Sequence, residues 1–515
     1  MTDDGQSSGP PGSLTVVGTG FMGAGQITPE ALAHIDRADR FFYLGGDAAT
    51  RMWLEGRNPT SKSLYSEYEV GGPRRDAYKR MAARMVEPVR EGLDVCVAFY
   101  GHPGVFVDPS HRAIRAARAE GYQARMLPGV SAEDCLFADC LIDPVASGCH
   151  SYEATHFLNR KPRFDPDGSL VLWQIGGVGV RTYEREALWS ASGLRELIDH
   201  LRGFYPDDHE VVVYEAAMFA VCEPSIIRVP LGRVPEVPVT TSSTMYVPPI
   251  GTAVDSLDVG SPAGSRASLT VVGTGYNVAG QVTPEAQAHL KMADQAFYLL
   301  SDPFTSAWVR DLNSETTSLH DSYWEGRSGV EACGEMVERV LAPLEEGQRV
   351  VAAFYGHPAI FVPPGRESVR RARASGHRAE MLPAISAPDC LYADLGIDPG
   401  RLGCQLYEST DFMESERPVE IGTPIVLLQA GAVGVREYTE DIAGDREAFG
   451  RLASRLADFH SPDHEVVLYE MSQNPMHEPR IERFPLREAA DREFTVYATL
   501  YVPSDQGADA ERPPD

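Results

Sequence analysis

The chain carries one long stretch of sequence twice, and only a fold with two equivalent domains accommodates that. SLTVVGTGFMGAGQITPEA at 13–31 returns as SLTVVGTGYNVAGQVTPEA at 268–286, and VAFYGHPGVFV at 97–107 as AAFYGHPAIFV at 352–362. MLPGVSAEDCLFAD at 126–139 returns as MLPAISAPDCLYAD at 381–394, and DDHEVVVYEAAM at 207–218 as PDHEVVLYEMSQ at 462–473. The offset is the same 255 positions throughout, from Gly18 to Gly273 as from Tyr214 to Tyr469. A period that long marks a duplicated domain and not a solenoid repeat. The expected domains are 13–250 and 268–504. The Gly-, Pro-, Ser- and Asp-rich stretch between them makes 251–267 a linker. The polar segments 1–12 and 505–515 read as disordered.

Each copy alternates strand and helix patterns. In the first, SLTVVG reads as a strand and TPEALAHIDRAD as a helix, with Thr28 as N-cap and Pro29 at the first helical position. RFFYL and DVCVAFYG are strands on either side of the helical RDAYKRMAARMVEPVREG. The helical HRAIRAARAEGYQ follows, then strands at SLVLWQI and HEVVVYEAA with a helical stretch between them. This is an α/β fold with mainly parallel strands at first. A ligand belongs at the carboxyl ends of such strands.

The loop VVGTGFMGAGQIT at 16–28 fits a G-x-G-x-x-G dinucleotide fingerprint through Gly18, Gly20 and Gly23. In such a loop the helix opens at the third glycine, so that its N-terminus faces a pyrophosphate. Here the helix start lies further on, at Thr28-Pro29. The following strand, RFFYLGGD, offers only Asp47 as a ribose-binding acid, beyond a glycine pair. The second copy has Val278 in place of the third glycine. A tight turn requiring positive φ therefore accounts for the glycines better than a phosphate cradle.

A formal net charge of −28 over 515 residues excludes a phosphate-backbone partner and opposes docking on an anionic membrane. No apolar run reaches membrane-spanning length, and the polar, acidic start is not a signal peptide. The eight cysteines show neither C-x-x-C pairs nor metal-ligand spacing, so reduced thiols, a cytoplasmic location and no metal are expected.

Four stretches gather polar groups at strand ends. FYGHPGVF places Tyr100, His102, Val105 and Phe106 at a tight turn, although a neutral His satisfied by backbone explains the histidine equally well. LPGVSAEDC carries Ser131 and Ala132, with helix capping as the plainer role for the serine. LVLWQ ends in Gln174, and TSSTMYVPP supplies Ser243 and Thr244. A fifth stretch, YEVGGPRRDAYKRM at 68–81, sets Arg74 and Tyr78 four apart on one helix face, with Tyr68 before the Gly-Gly-Pro turn. A guanidinium beside a phenol favours the phenolate.

With FYGHPGVFV, PSHRAI, MLPGVSAEDCLFAD and LVLWQ, the chain resembles the tetrapyrrole (corrin/porphyrin) methylase superfamily, and within it the borosin peptide backbone α-N-methyltransferases. The resemblance spans both copies. It implies two α/β subdomains per copy with S-adenosylmethionine (SAM) in the cleft between them. By the same resemblance, Tyr100, His102, Val105, Phe106, Ser131, Ala132, Gln174, Ser243 and Thr244 line that cleft, and Tyr68, Arg74 and Tyr78 activate the amide. In the second copy the catalytic set becomes Tyr323, Gly329 and Cys333, and Ala498 stands at the position of Ser243. That copy is expected to be silent in amide methylation while keeping Tyr355, His357, Ser386 and Gln429 toward SAM. Family members are homodimers, so a tandem chain implies an intramolecular pseudo-dimer, alone or in a higher homo-oligomer. The tail after LYVPS shows no apolar core peptide, so the expected substrate is a precursor peptide in trans. Methylation of a small tetrapyrrole-like ring and a non-catalytic SAM-binding role are the competing readings.

Overall fold

The computed structural model describes residues 12–180, 189–219, 221–252, 267–323, 328–435, 444–474 and 476–506. The segments read as a disordered start, linker and tail lie outside these, except for Gly12, Gly251, Thr252, Ala267, Asp505 and Gln506. Each copy opens with a five-stranded parallel sheet. In the first copy its order is Lys62–Ser63, Arg40–Leu44, Asp94–Phe99, Ser13–Gly18, Gln123–Met126. In the second copy the same order runs Thr316–Ser318, Gln295–Leu299, Arg349–Phe354, Ser268–Gly273, Arg378–Met381.

The glycine loop is a packing device. Thr28 caps helix Pro29–Arg37, its Oγ1 accepting from the Ala31 amide at 3.2 Å, and Pro29 sits at the start. The amides of Phe21 and Met22 donate to Gln26 Oε1, at 2.7 and 3.1 Å, so a side chain of the same loop already occupies them. Gly20 has φ +65° and bridges to Gly101. At Gly18 a Cβ would stand 2.4 Å from the Gly101 carbonyl oxygen, so glycine there lets the loop press against the Gly-His-Pro turn. Asp47, the only acid available for a ribose, instead caps helix Ala48–Arg57 by accepting from Thr50 N at 2.9 Å.

The two copies are joined in the second half of each. Strands Cys149–Glu153, Ser169–Trp173, Thr244–Val247, Glu210–Glu215 and Ser225–Pro230 form one half of a ten-stranded sheet. Cys404–Glu408, Ile425–Leu428, Thr499–Val502, Glu465–Glu470 and Arg480–Pro485 form the other. The seam is an antiparallel pair, Cys404 opposite Ser151, Gln405 opposite His150 and Leu406 opposite Cys149. His150 and Gln405 are equivalent positions in the two copies, so a pseudo-two-fold axis passes between them. Glycines with positive φ precede both strands: a Cβ on Gly148 would collide with the Tyr407 ring at 2.6 Å, and one on Gly403 with the Tyr152 ring at 2.2 Å. The largest apolar cluster draws on both copies, with Val130, Leu136, Phe137 and Tyr214 packed with Leu269, Phe354, Leu391 and Tyr469. Among the described residues no helix is long and apolar enough to cross a membrane.

A strand edge that pairs antiparallel about a two-fold can pair with itself. The first copy expressed alone, residues 12–252, is therefore expected to dimerise through Cys149–Glu153. Sedimentation velocity checks this, and a stable monomer at micromolar concentration contradicts it.

Candidate active site

A cavity of about 390 Å³ lies between the parallel sheet of the first copy and the first-copy half of the long sheet. Its volume falls in the range of small-molecule and cofactor sites. Two elements bring the Tyr-Arg-Tyr set to its wall. The short helical turn Tyr65–Glu67 presents Tyr68, and helix Arg74–Arg90, opening after Gly71 at φ +76° and Pro73, presents Arg74 and Tyr78. The Tyr68 and Tyr78 rings meet edge-on, centroids 6.3 Å apart, and their hydroxyls are hydrogen-bonded.

Arg74 pulls both phenols toward the phenolate, as the sequence spacing suggests, but burial outweighs it and holds both above the ordinary tyrosine value. The two differ in what else acts on them. The hydrogen bond with Tyr68 favours the deprotonated form of Tyr78, while Tyr78 disfavours that of Tyr68. Burial thus keeps both phenols neutral, with Arg74 as the cation beside them.

The turn after strand Asp94–Phe99 supplies Tyr100, His102, Val105 and Phe106 to the cavity wall. His102 Nδ1 accepts the Gly104 amide at 3.0 Å, which leaves Nε2–H to donate to the Asp389 carbonyl of the second copy, also at 3.0 Å. Burial lowers its pKa, so the ring is neutral. The plainer reading of this histidine, a backbone-satisfied imidazole, describes its bonds, although one partner comes from the other copy. Ser131 caps helix Ala132–Asp139 in a reciprocal box with Asp134, and both Ser131 and Ala132 face the cavity. Phe106 and Gln174 are non-glycine residues in left-handed conformation, φ +59° and +57°, and both line the cavity. Such strain gathers at functional sites. Thr244 is also on the wall.

Ser243 is not on it. The serine is fully buried below, its Oγ donating to Glu215 and accepting the Thr240 amide at 2.7 Å, while its neighbours Thr241 and Ser242 face the cavity. It shapes the loop and leaves the contact to them.

Several wall residues had no signal in the sequence. Trp173, adjoining Gln174, donates from Nε1 to Ser151 at 2.6 Å and meets the Phe106 ring edge-on at 6.2 Å. Glu133 hydrogen-bonds Ser151, and burial pushes its carboxyl up to about 7. Tyr392, Pro399 and Gly400 belong to the second copy. Asp398 accepts the Phe106 amide at 3.0 Å, and Gly400 lies where a Cβ would stand 2.5 Å from the Phe106 ring. Reading each copy alone could not find these, because they cross the seam.

In the second copy the equivalent positions lose their polarity. Pro388 replaces Glu133, Leu406 replaces Ser151, Leu428 replaces Trp173 and Val496 replaces Thr241. Gly329 opens helix Gly329–Glu345 with Ser328 as cap, and Cys333, whose thiol burial pushes upward, faces Tyr323 where the first copy has a tyrosine pair.

The family model of the Tetrapyrrole (Corrin/Porphyrin) Methylases matches residues 13–233 and again 268–472. The chain belongs to this family. Over 243 residues it is 47% identical to a methyltransferase/ribosomally synthesized cyclic peptide dendrothelin A precursor of Dendrothele bispora, covering 46% of this chain and 58% of that protein. Over 252 residues it is 44% identical to the corresponding omphalotin A precursor of Omphalotus olearius, covering 48% and 60%. The chain thus spans under two thirds of the length of these relatives. A uroporphyrin-III-C-methyltransferase structure from Thermus thermophilus aligns with a TM-score of 0.35 at 19% identity, over 48% of this chain and 98% of that one.

The side chains lining the cavity suit SAM, whose sulfonium and ammonium are cations and which has no phosphate. Carboxylates from Glu133 and Glu153 and the aromatic faces of Phe21, Phe106 and Trp173 line the cavity. Hydroxyls from Thr241, Ser242 and Thr244 offer partners for a ribose.

Glu133 makes stability fall with pH. Its folded value near 7 lies above its ordinary 4.5, so its share of stability is complete below about 4.5 and is lost as pH rises through 7. Glu133→Gln is expected to match the wild type in urea at pH 4.5 and to unfold at higher urea at pH 8. Equal midpoints at both pH values would falsify this.

Proposed function

We propose that the first copy methylates backbone amide nitrogens of a separate precursor peptide, with SAM as donor, and that the second copy serves as a fixed wall of that site. The observation that carries the reading is the convergence of Tyr68, Arg74 and Tyr78 on one cavity whose other lining residues suit SAM and to whose wall the second copy contributes Tyr392, Pro399 and Gly400. The names of the relatives, which pair a methyltransferase with a cyclic peptide precursor, point the same way.

When bound, SAM supplies an electrophilic methyl group. The chain's own residues handle the amide. Arg74 is positioned to stabilise negative charge that develops on the amide oxygen as the nitrogen loses its proton. Tyr78, a neutral phenol hydrogen-bonded to Tyr68, relays that proton, its oxygen accepting it as its own hydroxyl proton passes on. The nitrogen is thereby left with the electron pair that would accept the methyl group. Phe106 and Gln174, held in strained conformations beside Trp173, fix the geometry in which nitrogen and methyl align. The eight cysteines are free thiols, six of them buried, with Cys333 half-buried and Cys222 exposed, which suits a cytoplasmic setting.

The test is co-incubation of the full chain with SAM and a candidate precursor peptide, read by tandem mass spectrometry. Methyl mass steps on backbone amides are expected. Tyr78→Phe and Arg74→Ala are expected to lower turnover by about 100-fold or more, the span of acid–base catalysis, while Cys333→Ser leaves it unchanged. Methylation confined to a corrinoid or other small ring, or equal losses in all three variants, defeats the reading.

A further inference from the structure

The first copy is an internal control for every position of the second, and at one place two differences bring metal-ligand atoms together. In the first copy the chain passes from helix Ala191–Leu201 through Tyr205 and His209 into strand Glu210–Glu215. Tyr205 stacks on His209 with ring centres 4.9 Å apart, and His209 Nε2 donates to the Pro248 carbonyl at 3.0 Å. Two residues beyond Pro248 stands Ile250.

The second copy keeps this frame. Residue 460 stacks on His464 at 4.5 Å, and His464 Nε2 donates to the Pro503 carbonyl at 2.9 Å. Residue 460, however, is histidine where the first copy has Tyr205, and residue 505 is aspartate where it has Ile250. Asp505 Oδ1 consequently lies 2.7 Å from His460 Nδ1 and 3.6 Å from His464 Nδ1. One ligand atom from each of the three residues falls within a 4.8 Å span. His460 is buried with its Nε2 lacking a hydrogen-bond partner, whereas Asp505 reaches solvent.

We infer that His460, His464 and Asp505 form a binding site for a divalent metal ion of the zinc class. Two imidazoles and a carboxylate are the ligand types zinc takes, and a fourth position remains for water. Donors around a tetrahedral zinc stand about 3.3 Å apart, given bonds near 2.0–2.1 Å, so the 2.7 and 3.6 Å separations bracket that spacing. The Pro503 carbonyl fixes the tautomer of His464: with the proton on Nε2, the Nδ1 lone pair faces Asp505. An outer hydrogen bond of this kind orients metal-binding histidines in general. Solvent at Asp505 gives the ion an entry path. The bound ion ties the segment after strand Thr499–Val502, already anchored by the Asp505 amide on the Ile421 carbonyl at 2.9 Å, to the turn before strand Glu465–Glu470.

The test uses the full chain, stripped with a chelator and titrated with zinc chloride against a chromophoric competitor, with cobalt absorption as a second readout. The wild type is expected to bind one ion that the double variant His460→Tyr/Asp505→Ile binds about 100-fold more weakly or not at all. Both replacements restore the first copy's own residues, so the variant is expected to keep the wild-type circular dichroism. His464→Ala, tested separately, is expected to weaken binding to a similar degree. Absence of zinc binding in the wild type, or undiminished binding in the double variant, overturns the site and leaves a hydrogen-bonded His460–Asp505 pair. None of these readouts uses methyl transfer, so their outcome is independent of the proposed catalysis.

Discussion

The antiparallel pairing of Cys149–Glu153 with Cys404–Glu408 is the constraint on which the rest of the molecule depends. A five-stranded half-sheet ending at Cys149–Glu153 would leave a row of unpaired amides and carbonyls exposed, and the duplicate supplies the partner. Because His150 lies opposite its own equivalent, Gln405, the pairing fixes the two copies about a pseudo-two-fold axis. At the seam the two differ: His150 Nε2 lies 3.0 Å from the Tyr407 hydroxyl, while Gln405 Nε2 donates to the carbonyls of Glu420 and Thr423, both at 2.9 Å. Equivalent positions thus find different partners, and His150 is left with a buried Nδ1 that has none.

The symmetric scaffold carries an asymmetric site because the two kinds of position face different constraints. Residues at the seam must match a partner across the axis. Residues on the cavity wall face the enclosed space and have no partner across the axis to match. Gly329 and Cys333 for Arg74 and Tyr78, Pro388 for Glu133 and Leu428 for Trp173 all fall at positions that line the first copy's cavity. They strip the second cavity of its cation, its second phenol, a carboxyl near neutrality and an indole, while the sheets beneath stay in register.

Much of this was legible in the sequence. The duplication, the α/β alternation, the Thr28-Pro29 helix start and the dismissal of the phosphate cradle all follow from local chemistry, which acts over a few residues. Most of the residues expected around the cleft face one cavity, for they sit at strand ends that the parallel sheet gathers. Three features were not legible. Ser243 turns inward because Glu215, far away in sequence, accepts its hydroxyl proton. The net upward shift of the tyrosines reflects burial, which spacing on a helix does not report. Tyr392, Pro399 and Gly400 reach the first cavity only because the seam folds one copy over the other.

The seam also explains which motifs the second copy retains. His357 Nε2 donates to the Asp134 carbonyl at 3.0 Å just as His102 does to Asp389, and Ser386 and Asp389 form the same capping box as Ser131 and Asp134. Each copy's Gly-His-Pro turn thus binds the first turn of the other copy's capped helix. Burial lowers the pKa of both histidines, so the crossing is made by neutral rings and carries no buried cation. Losing His357 or Ser386 would unmake a contact that the first copy's cavity needs, since His102 and Ser131 line that cavity and share the same interface. Retention of FYGHP and S-x-x-D in a copy that lacks the arginine and second tyrosine is therefore accounted for by the joint alone, with no cofactor required at that second cleft.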